Sequence, residues 1–198
     1  MRRPLRATGS APTVWAQLRS APNVVSVVRL ALVLPFLASY MVGRVRLAAL
    51  LFAIAAVSDV VDGTLARILG QRTRVGALLD PTADKVLGLA ALGALVAHRQ
   101  LPVWLLGLSL LRDGVVVSVA LGLRSSGRPH VVAPSRLGKY ATFFTNLAVL
   151  LALAGEISYA PGLGGFVVAT AAIAAQCLAL AAAQYAARFF LFLAHRSA

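Results

Sequence analysis

Apolar residues run through this chain in six long stretches, at 24–42, 47–69, 77–97, 103–123, 137–154 and 164–192, separated by short polar breaks. Each is close to the roughly 17–25 residues that a helix needs to cross a bilayer. None alternates polar and apolar positions as a half-buried strand would, and a helix meets all its own backbone hydrogen bonds in lipid. The pattern therefore predicts an all-α integral membrane protein of six transmembrane helices. The last run is long enough to tilt or to continue past the hydrocarbon. The breaks are too short to hold a second domain and no internal repeat is visible. This predicts a basic juxtamembrane segment over 1–23 and one membrane domain over 24–198.

Composition agrees: 60% of the residues are hydrophobic and only 13% are charged. The net charge of +13 would suit nucleic acid, but its distribution does not. With the N-terminus inside, the inner segments carry thirteen of the nineteen Arg and Lys residues, from Arg2 and Arg3 through Arg67, Arg72, Arg74, Arg124, Arg128, Arg136 and Lys139 to Arg188 and Arg196. The outer loops carry Arg44, Arg46 and Arg99. The positive-inside rule then places both termini in the cytoplasm of a multi-pass cell-membrane protein. Such charges attract anionic lipid and nucleotides; no nucleic-acid partner is expected. The first 23 residues lack an apolar core and do not read as a signal peptide. Trp15 could anchor a short interfacial turn there, or the segment is a basic tail. Cys177 is the one cysteine, so no intrachain disulfide forms, and its Ala-rich setting reads as core.

The chain has only six acidic residues, and Asp59, Asp62, Asp80 and Asp84 lie within 26 positions of one another. A carboxylate at membrane depth costs about 2.5–3.5 kcal/mol on insertion scales, and four together repel. A multivalent cation offsets both costs. Asp59 and Asp62 are three apart, and Asp80 and Asp84 four apart, so each pair shares a helix face. A helix hairpin would bring the pairs together around one or two hard divalent ions, Mg²⁺ or Mn²⁺. No His or Cys lies in this stretch to suit zinc. Gly63 and Ala66 keep one face small, and Arg67 adds a cation, which suits a pyrophosphate. Close helix packing alone would also explain the two small residues.

Asp59-x-x-Asp62-Gly63-x-x-Ala66-Arg67, followed after eight residues by Gly76, then by Asp80 and Asp84 at four-residue steps, resembles the signature of the CDP-alcohol phosphatidyltransferases at every defined position. Members of that family move the phosphatidyl group of CDP-diacylglycerol onto an alcohol and release CMP. The resemblance implies that Asp59, Asp62, Asp80 and Asp84 hold two metal ions. Asp84 would also take the proton of the acceptor hydroxyl. Gly63, Ala66, Arg67, Gly76 and Asn23 would line the nucleotide and pyrophosphate site. The resemblance also implies a homodimer among membrane lipids, with the active site facing the cytoplasm.

Four further cations are candidates for phosphate or acceptor binding. Arg29 lies a turn or two inside the first run, and either pairs with the acids or a phosphate or snorkels to the interface. Arg112-Asp113 sits mid-way along the fourth run, as a neutral structural pair or as a support for the site. Arg136 and Lys139, three apart at the start of the fifth run, would form an anion site or an ordinary positive-inside patch. His98, His130, His195 and Glu156 read as solvated or interfacial, and Trp104 as an interfacial anchor.

Asp80-Pro81-Thr82-Ala83-Asp84-Lys85 is similar to the glycerol-type branch, whose acceptors are glycerol 3-phosphate and phosphatidylglycerol. Phosphatidylglycerolphosphate synthases often carry Gly-Lys-x-Lys-Thr at the fifth span. Here it is Gly138-Lys139-Tyr140-Ala141-Thr142, which, with Arg112-Asp113, leans the expectation slightly toward phosphatidylglycerol and cardiolipin synthesis. Of other classes, a divalent-cation transporter would not need Gly63, Ala66 and Arg67 at these spacings or a basic rim, and a lipid-binding scaffold would not need four carboxylates.

Overall fold

The computed structural model describes residues 21–69, 76–125, 135–158 and 162–194. Within the helices, the side chains of 21–25, 59–69, 76–81, 123–125 and 191–194 lie outside that description. The described residues form six helices and no strand: α1 (Ala21–Met41), α2 (Val45–Leu69), α3 (Gly76–Ala97), α4 (Val103–Ser125), α5 (Arg136–Ser158) and α6 (Leu163–Ala194). Every predicted apolar run is helical, with ends displaced by at most four residues. Three helices are long and apolar enough over their described residues to cross a membrane, at Val103–Gly122, Arg136–Ser158 and Leu163–Phe190. Shorter apolar stretches cover Ser26–Met41 and Val45–Ser58. At about 1.5 Å per residue, α5 measures roughly 35 Å and α6 roughly 48 Å, so α6 exceeds the hydrocarbon thickness, as its run length predicts.

Two helices end in the same way. Arg44 N–H donates to Ser39 O at 2.8 Å and Gly43 N–H to Tyr40 O at 3.0 Å, closing α1 with Gly43 at φ 75°. Gln100 N–H donates to Leu95 O at 2.8 Å and Arg99 N–H to Val96 O at 3.0 Å, closing α3 with Arg99 at φ 61°. Both satisfy carbonyls that the helix leaves open. Glycine is at home in that left-handed conformation; Arg99 adopts it at a cost of about 1–2 kcal/mol.

The same end of the bundle is tied across helices. Tyr40 Oη donates to Glu156 Oε1 at 2.9 Å, and its ring lies 5.0 Å from that of His98. The C-terminal ends of α1, α3 and α5 therefore meet. Glu156, expected to be solvated, is half-buried because α1 delivers a tyrosine hydroxyl to it.

α1 packs along both α2 and α3, α5 along α6, and α4 along α6, while α2 and α3 each reach α5. Phe36, Phe52, Leu92, Leu95, Leu105, Val149 and Leu153 are almost wholly buried. Phe36 fits between Tyr40 and Phe52, with ring centroids 6.2 and 5.9 Å away. α5 and α6 both bury alanines at helical spacing, Ala141, Ala148 and Ala152 on α5 and Ala171, Ala174 and Ala181 on α6. Small residues let two backbones approach closely, which is how helices associate where lipid removes the hydrophobic drive between them. Leu34 (74% exposed), Ile54, Leu121, Phe166, Val168 and Phe190 point outward. So much exposed apolar surface on so many helices suits hydrocarbon rather than water.

Candidate active site

The acidic motif occupies two neighbouring helices. Asp59, Asp62, Gly63, Ala66 and Arg67 stand in the C-terminal half of α2, Gly76 opens α3, and Asp80 and Asp84 follow in its first half. Counting about 1.5 Å per residue, Asp59 and Asp62 lie roughly 15 and 10 Å before the end of α2, and Asp80 and Asp84 roughly 6 and 12 Å after the start of α3. Both acidic pairs thus stand at similar heights along their helices from the 70–75 connection. The side chains of Asn23, Asp59, Asp62, Ala66, Arg67 and Asp80 lie outside the described ones, and Asp84 is the member of the quartet that can be followed.

Asp84 opens into a cavity of about 50 Å³ between α3, α4, α5 and α6. From α3, Lys85 and Gly88 line it with Leu89 and Leu92. From α4 come Ser109, Arg112 and Asp113; from α5, Thr142, Thr145 and Asn146; and Leu178 of α6 forms part of the wall. Helical spacing explains the grouping. Residues 84, 88 and 92, residues 109, 112 and 113, and residues 142, 145 and 146 each recur at three- or four-residue steps on one face.

Asp113 organises the cations. Its Oδ1 accepts from Arg112 Nη1 at 2.7 Å and lies 3.1 Å from Lys85 Nζ. Arg112 and Asp113 are largely buried, with side chains 14% and 19% exposed, whereas Lys85 is 39% exposed. The two readings of Arg112-Asp113 therefore merge: the pair is neutralised, lines the cavity, and holds the lysine next to Asp84. Arg112 also reaches α5, with Nη2 3.4 Å from Gly138 O. That contact needs a glycine. A Cβ at position 138 would stand 2.7 Å from Arg112 Nη2 and 3.2 Å from Ser135 Oγ.

Ser135 caps α5. Its Oγ accepts from Gly138 N–H at 3.0 Å, as a residue just before a helix does for an otherwise open donor. Ser135 N–H donates to the buried Tyr185 Oη at 2.8 Å, fixing this end of α5 to α6. Arg136 and Lys139 follow in the first turn, where both are exposed. They do not line the cavity with Asp84; Thr142, one turn on, does. Arg29, 2% exposed, does not snorkel to an interface. It lies inside the bundle and is not isolated there.

Four of the lining groups carry formal charge, two negative and two positive, so the cavity is balanced around Asp84. Sequence reasoning missed Gly88, Ser109, Thr145 and Asn146. A signal was available, since Thr142, Thr145 and Asn146 share one face of an otherwise apolar helix and Ser109 stands one turn from Asp113.

The donor chemistry fits a divalent cation. Aspartates are hard oxygen donors, no His or Cys intervenes between the four in sequence, and Lys85 is engaged by Asp113. Among the described residues, no group of three potential metal ligands comes together.

Comparison with known proteins covers most of the chain. Residues 19–183 match the family described as CDP-alcohol phosphatidyltransferase. A Bacillus subtilis protein named CDP-diacylglycerol–glycerol-3-phosphate 3-phosphatidyltransferase is 36% identical over 143 residues, 65% of this chain and 73% of that one. A Streptomyces coelicolor cardiolipin synthase (CMP-forming) is 36% identical over 143 residues, 68% of this chain and 65% of that one. A Mycobacterium tuberculosis protein named probable phosphatidylglycerophosphate synthase is 34% identical over 154 residues, 73% of this chain and 72% of that one.

Proposed function

The chain belongs to the CDP-alcohol phosphatidyltransferase family, and from that premise we propose that it transfers the phosphatidyl group of CDP-diacylglycerol to a glycerol-type alcohol, releasing CMP. The observation that carries this reading is the cavity at Asp84, which sets the family's last aspartate beside Lys85, Arg112 and Asp113 in a small pocket lined by both polar and apolar side chains. It is an enzyme of membrane phospholipid synthesis, with both termini and the active site on the cytoplasmic side of a six-span bundle. The charge asymmetry of its loops supports that orientation.

Asp59, Asp62, Asp80 and Asp84 would hold two divalent ions, Mg²⁺ or Mn²⁺, which supply charge neutralisation at the pyrophosphate. Gly63, Ala66, Arg67, Gly76 and Asn23 bind the nucleotide end. The acceptor oxygen forms its bond to the phosphorus of the diacylglycerol-bearing phosphate as the bond from that phosphorus to the CMP oxygen breaks. Asp84 receives the acceptor's hydroxyl proton, and CMP leaves with the bridging oxygen and its electrons. Lys85 and Arg112, held by Asp113, keep the pocket electrically balanced beside it. Arg136 and Lys139, exposed at the mouth end of α5, meet the acceptor's phosphate; Arg29 supports the site from within α1.

Relatives named for either acceptor match at similar identity, and more of them are named for glycerol-3-phosphate chemistry than for cardiolipin synthesis. Glycerol 3-phosphate is therefore the first acceptor proposed, which reverses the slight lean of the sequence toward phosphatidylglycerol. One observation favours that second acceptor: position 141, where a second lysine would sit, is a fully buried alanine that supplies no cation. Purified protein given CDP-diacylglycerol, Mg²⁺ and each acceptor in turn should release CMP with one of them. Absence of CMP with both would defeat the proposal.

A further inference from the structure

The Asp84 cavity contains more uncharged hydrogen-bonding capacity than a proton-accepting carboxylate requires. Its volume of about 50 Å³ is room for about four water-sized groups, at roughly 10–15 Å³ each. Beyond the four charged groups, its polar lining is Ser109, Thr142, Thr145 and Asn146. Ser109 is 7% exposed, and its Oγ has no hydrogen-bond partner among the described residues. A buried hydroxyl left without a partner is costly, and one that lines a cavity is satisfied by whatever enters. The two threonines have already spent their protons: Thr142 Oγ1 donates to Gly138 O at 3.2 Å, and Thr145 Oγ1 to Ala141 O at 2.8 Å. They offer acceptors only. Ser109 and the Asn146 amide offer both donor and acceptor. Gly88 lies beside the Asn146 end, where a Cβ would stand 3.5 Å from Asn146 Oδ1, in ordinary van der Waals contact.

This is complementary to hydroxyl groups, each of which donates once and accepts, and not to a phosphate, which brings only acceptors and a charge that the balanced cavity does not call for. Both proposed acceptors present the same uncharged unit, a terminal glycol of four non-hydrogen atoms, –CH(OH)–CH₂OH. We infer that this cavity recognises the acceptor's vicinal diol, with Asn146 and Ser109 binding the hydroxyl adjacent to the one that reacts. Asn146 and Ser109 are thus specificity-determining residues. The apolar walls at Leu89, Leu92 and Leu178 receive the carbon skeleton. The inference rests on the phosphatidyl-transfer reading and adds to it a chemical criterion for the acceptor.

The test pairs each acceptor with its analogue lacking the middle hydroxyl: glycerol 3-phosphate with 3-hydroxypropyl phosphate, and phosphatidylglycerol with phosphatidylpropane-1,3-diol. CMP release gives kcat/KM for each. The full-length protein should prefer the diol by about ten- to a hundredfold, because a site built to bind a hydroxyl is left unpaired by the analogue. Asn146→Leu, which keeps the volume, and Ser109→Ala, which removes one buried oxygen, should each bring that ratio below about threefold. The pair of acceptors that supports turnover identifies which lipid or metabolite supplies the glycol. A wild-type ratio near one overturns the inference, as do variants that slow both members of a pair equally, the outcome of a merely structural role. If Asn146→Leu fails to fold, Ser109→Ala decides alone. A protein that releases no CMP with any of the four compounds overturns the transfer reading itself, and the inference with it.

Discussion

Replacing Gly138 with alanine sets two opposing terms against each other at a site where their sizes can be read from the structure. Glycine inside a helix is worth about 0.5–1 kcal/mol less than alanine, so Gly138→Ala should stabilise an isolated α5 by that amount. The new Cβ, however, would stand 2.7 Å from Arg112 Nη2 and 3.2 Å from Ser135 Oγ. An arginine tip normally swings aside cheaply. This one is held on its other nitrogen by Asp113 at 2.7 Å and is only 14% exposed. Retreat costs part of a charge-assisted hydrogen bond, about 1.5–3 kcal/mol when lost outright, and loosens a cap worth about 1 kcal/mol. The net expectation is destabilisation by about 1–2 kcal/mol, roughly 2–8 °C in Tm for a chain of this length. Since Arg112 lines the Asp84 cavity, KM for the acceptor should rise about tenfold while KM for CDP-diacylglycerol stays within about twofold, a split that follows a lost contact of about 1.4 kcal/mol. The assay is thermal unfolding in detergent together with CMP release under varied acceptor. A double-mutant cycle locates the cause: in an Arg112→Lys background, which lacks the second nitrogen, Gly138→Ala should raise Tm instead of lowering it. Gly138→Ala that stabilises the otherwise wild-type protein and leaves acceptor KM unchanged would show that the Arg112–Gly138 approach carries neither effect.

Asp113→Asn should cost about 1–3 kcal/mol, less than a fully buried pair because Lys85 is well exposed, and should lower acceptor kcat/KM at least tenfold; Asp113→Glu should recover most of both, as read by melting and CMP release. Asp84→Asn should lower kcat by about 10²-fold or more with substrate binding largely retained, checked by single-turnover CMP release and nucleotide titration; turnover near wild type would exclude Asp84 as the proton acceptor. Saturating EDTA should abolish CMP release, and Mg²⁺ or Mn²⁺ should restore it. At the opposite end of the bundle, Tyr40→Phe removes the hydrogen bond to Glu156 and should cost about 1 kcal/mol of stability with kcat and both KM values unchanged, separating packing at that end from chemistry.

The six helices were legible because membrane hydrocarbon imposes a simple rule, and their ends fell where polar residues interrupt apolar runs. Asp84, Lys85, Arg112 and Asp113 were legible because charge is scarce in such runs and stands out. Less could be read of the partnerships. Nothing in sequence spacing pairs Lys85 with Asp113, 28 positions away, or Tyr40 with Glu156 at the other end, since these depend on which helix faces which. The role of Gly138 was hidden for the same reason: in the motif it reads as a family residue, and only the approach of Arg112 shows what a side chain would displace. Asn146 and Ser109 escaped because uncharged polar residues are common enough in membrane helices to pass as packing.

The pairing of both inner cations with Asp113 has a consequence for how an acceptor enters. If Lys85 and Arg112 were unpaired, the cavity would draw in the anionic end of glycerol 3-phosphate and leave its hydroxyls outside, the wrong way round for attack on phosphorus. With Asp113 present, both inner cations are paired with a carboxylate, and they attract a dianion less than an unpaired ammonium and guanidinium would. The unbalanced positive charge lies instead on Arg136 and Lys139, exposed in the first turn of α5. The exposed cations at the start of α5 are therefore the better partners for a phosphate than the paired cations of the cavity, and an acceptor with a phosphate at one end and a glycol at the other is oriented glycol first, with its hydroxyl toward Asp84. Asp113→Asn would leave the interior with net positive charge and reverse that preference, so inorganic phosphate should become a competitive inhibitor of the variant at concentrations that leave the wild-type protein unaffected. Equal inhibition of the two proteins by phosphate would show that Asp113 does not set the direction of entry.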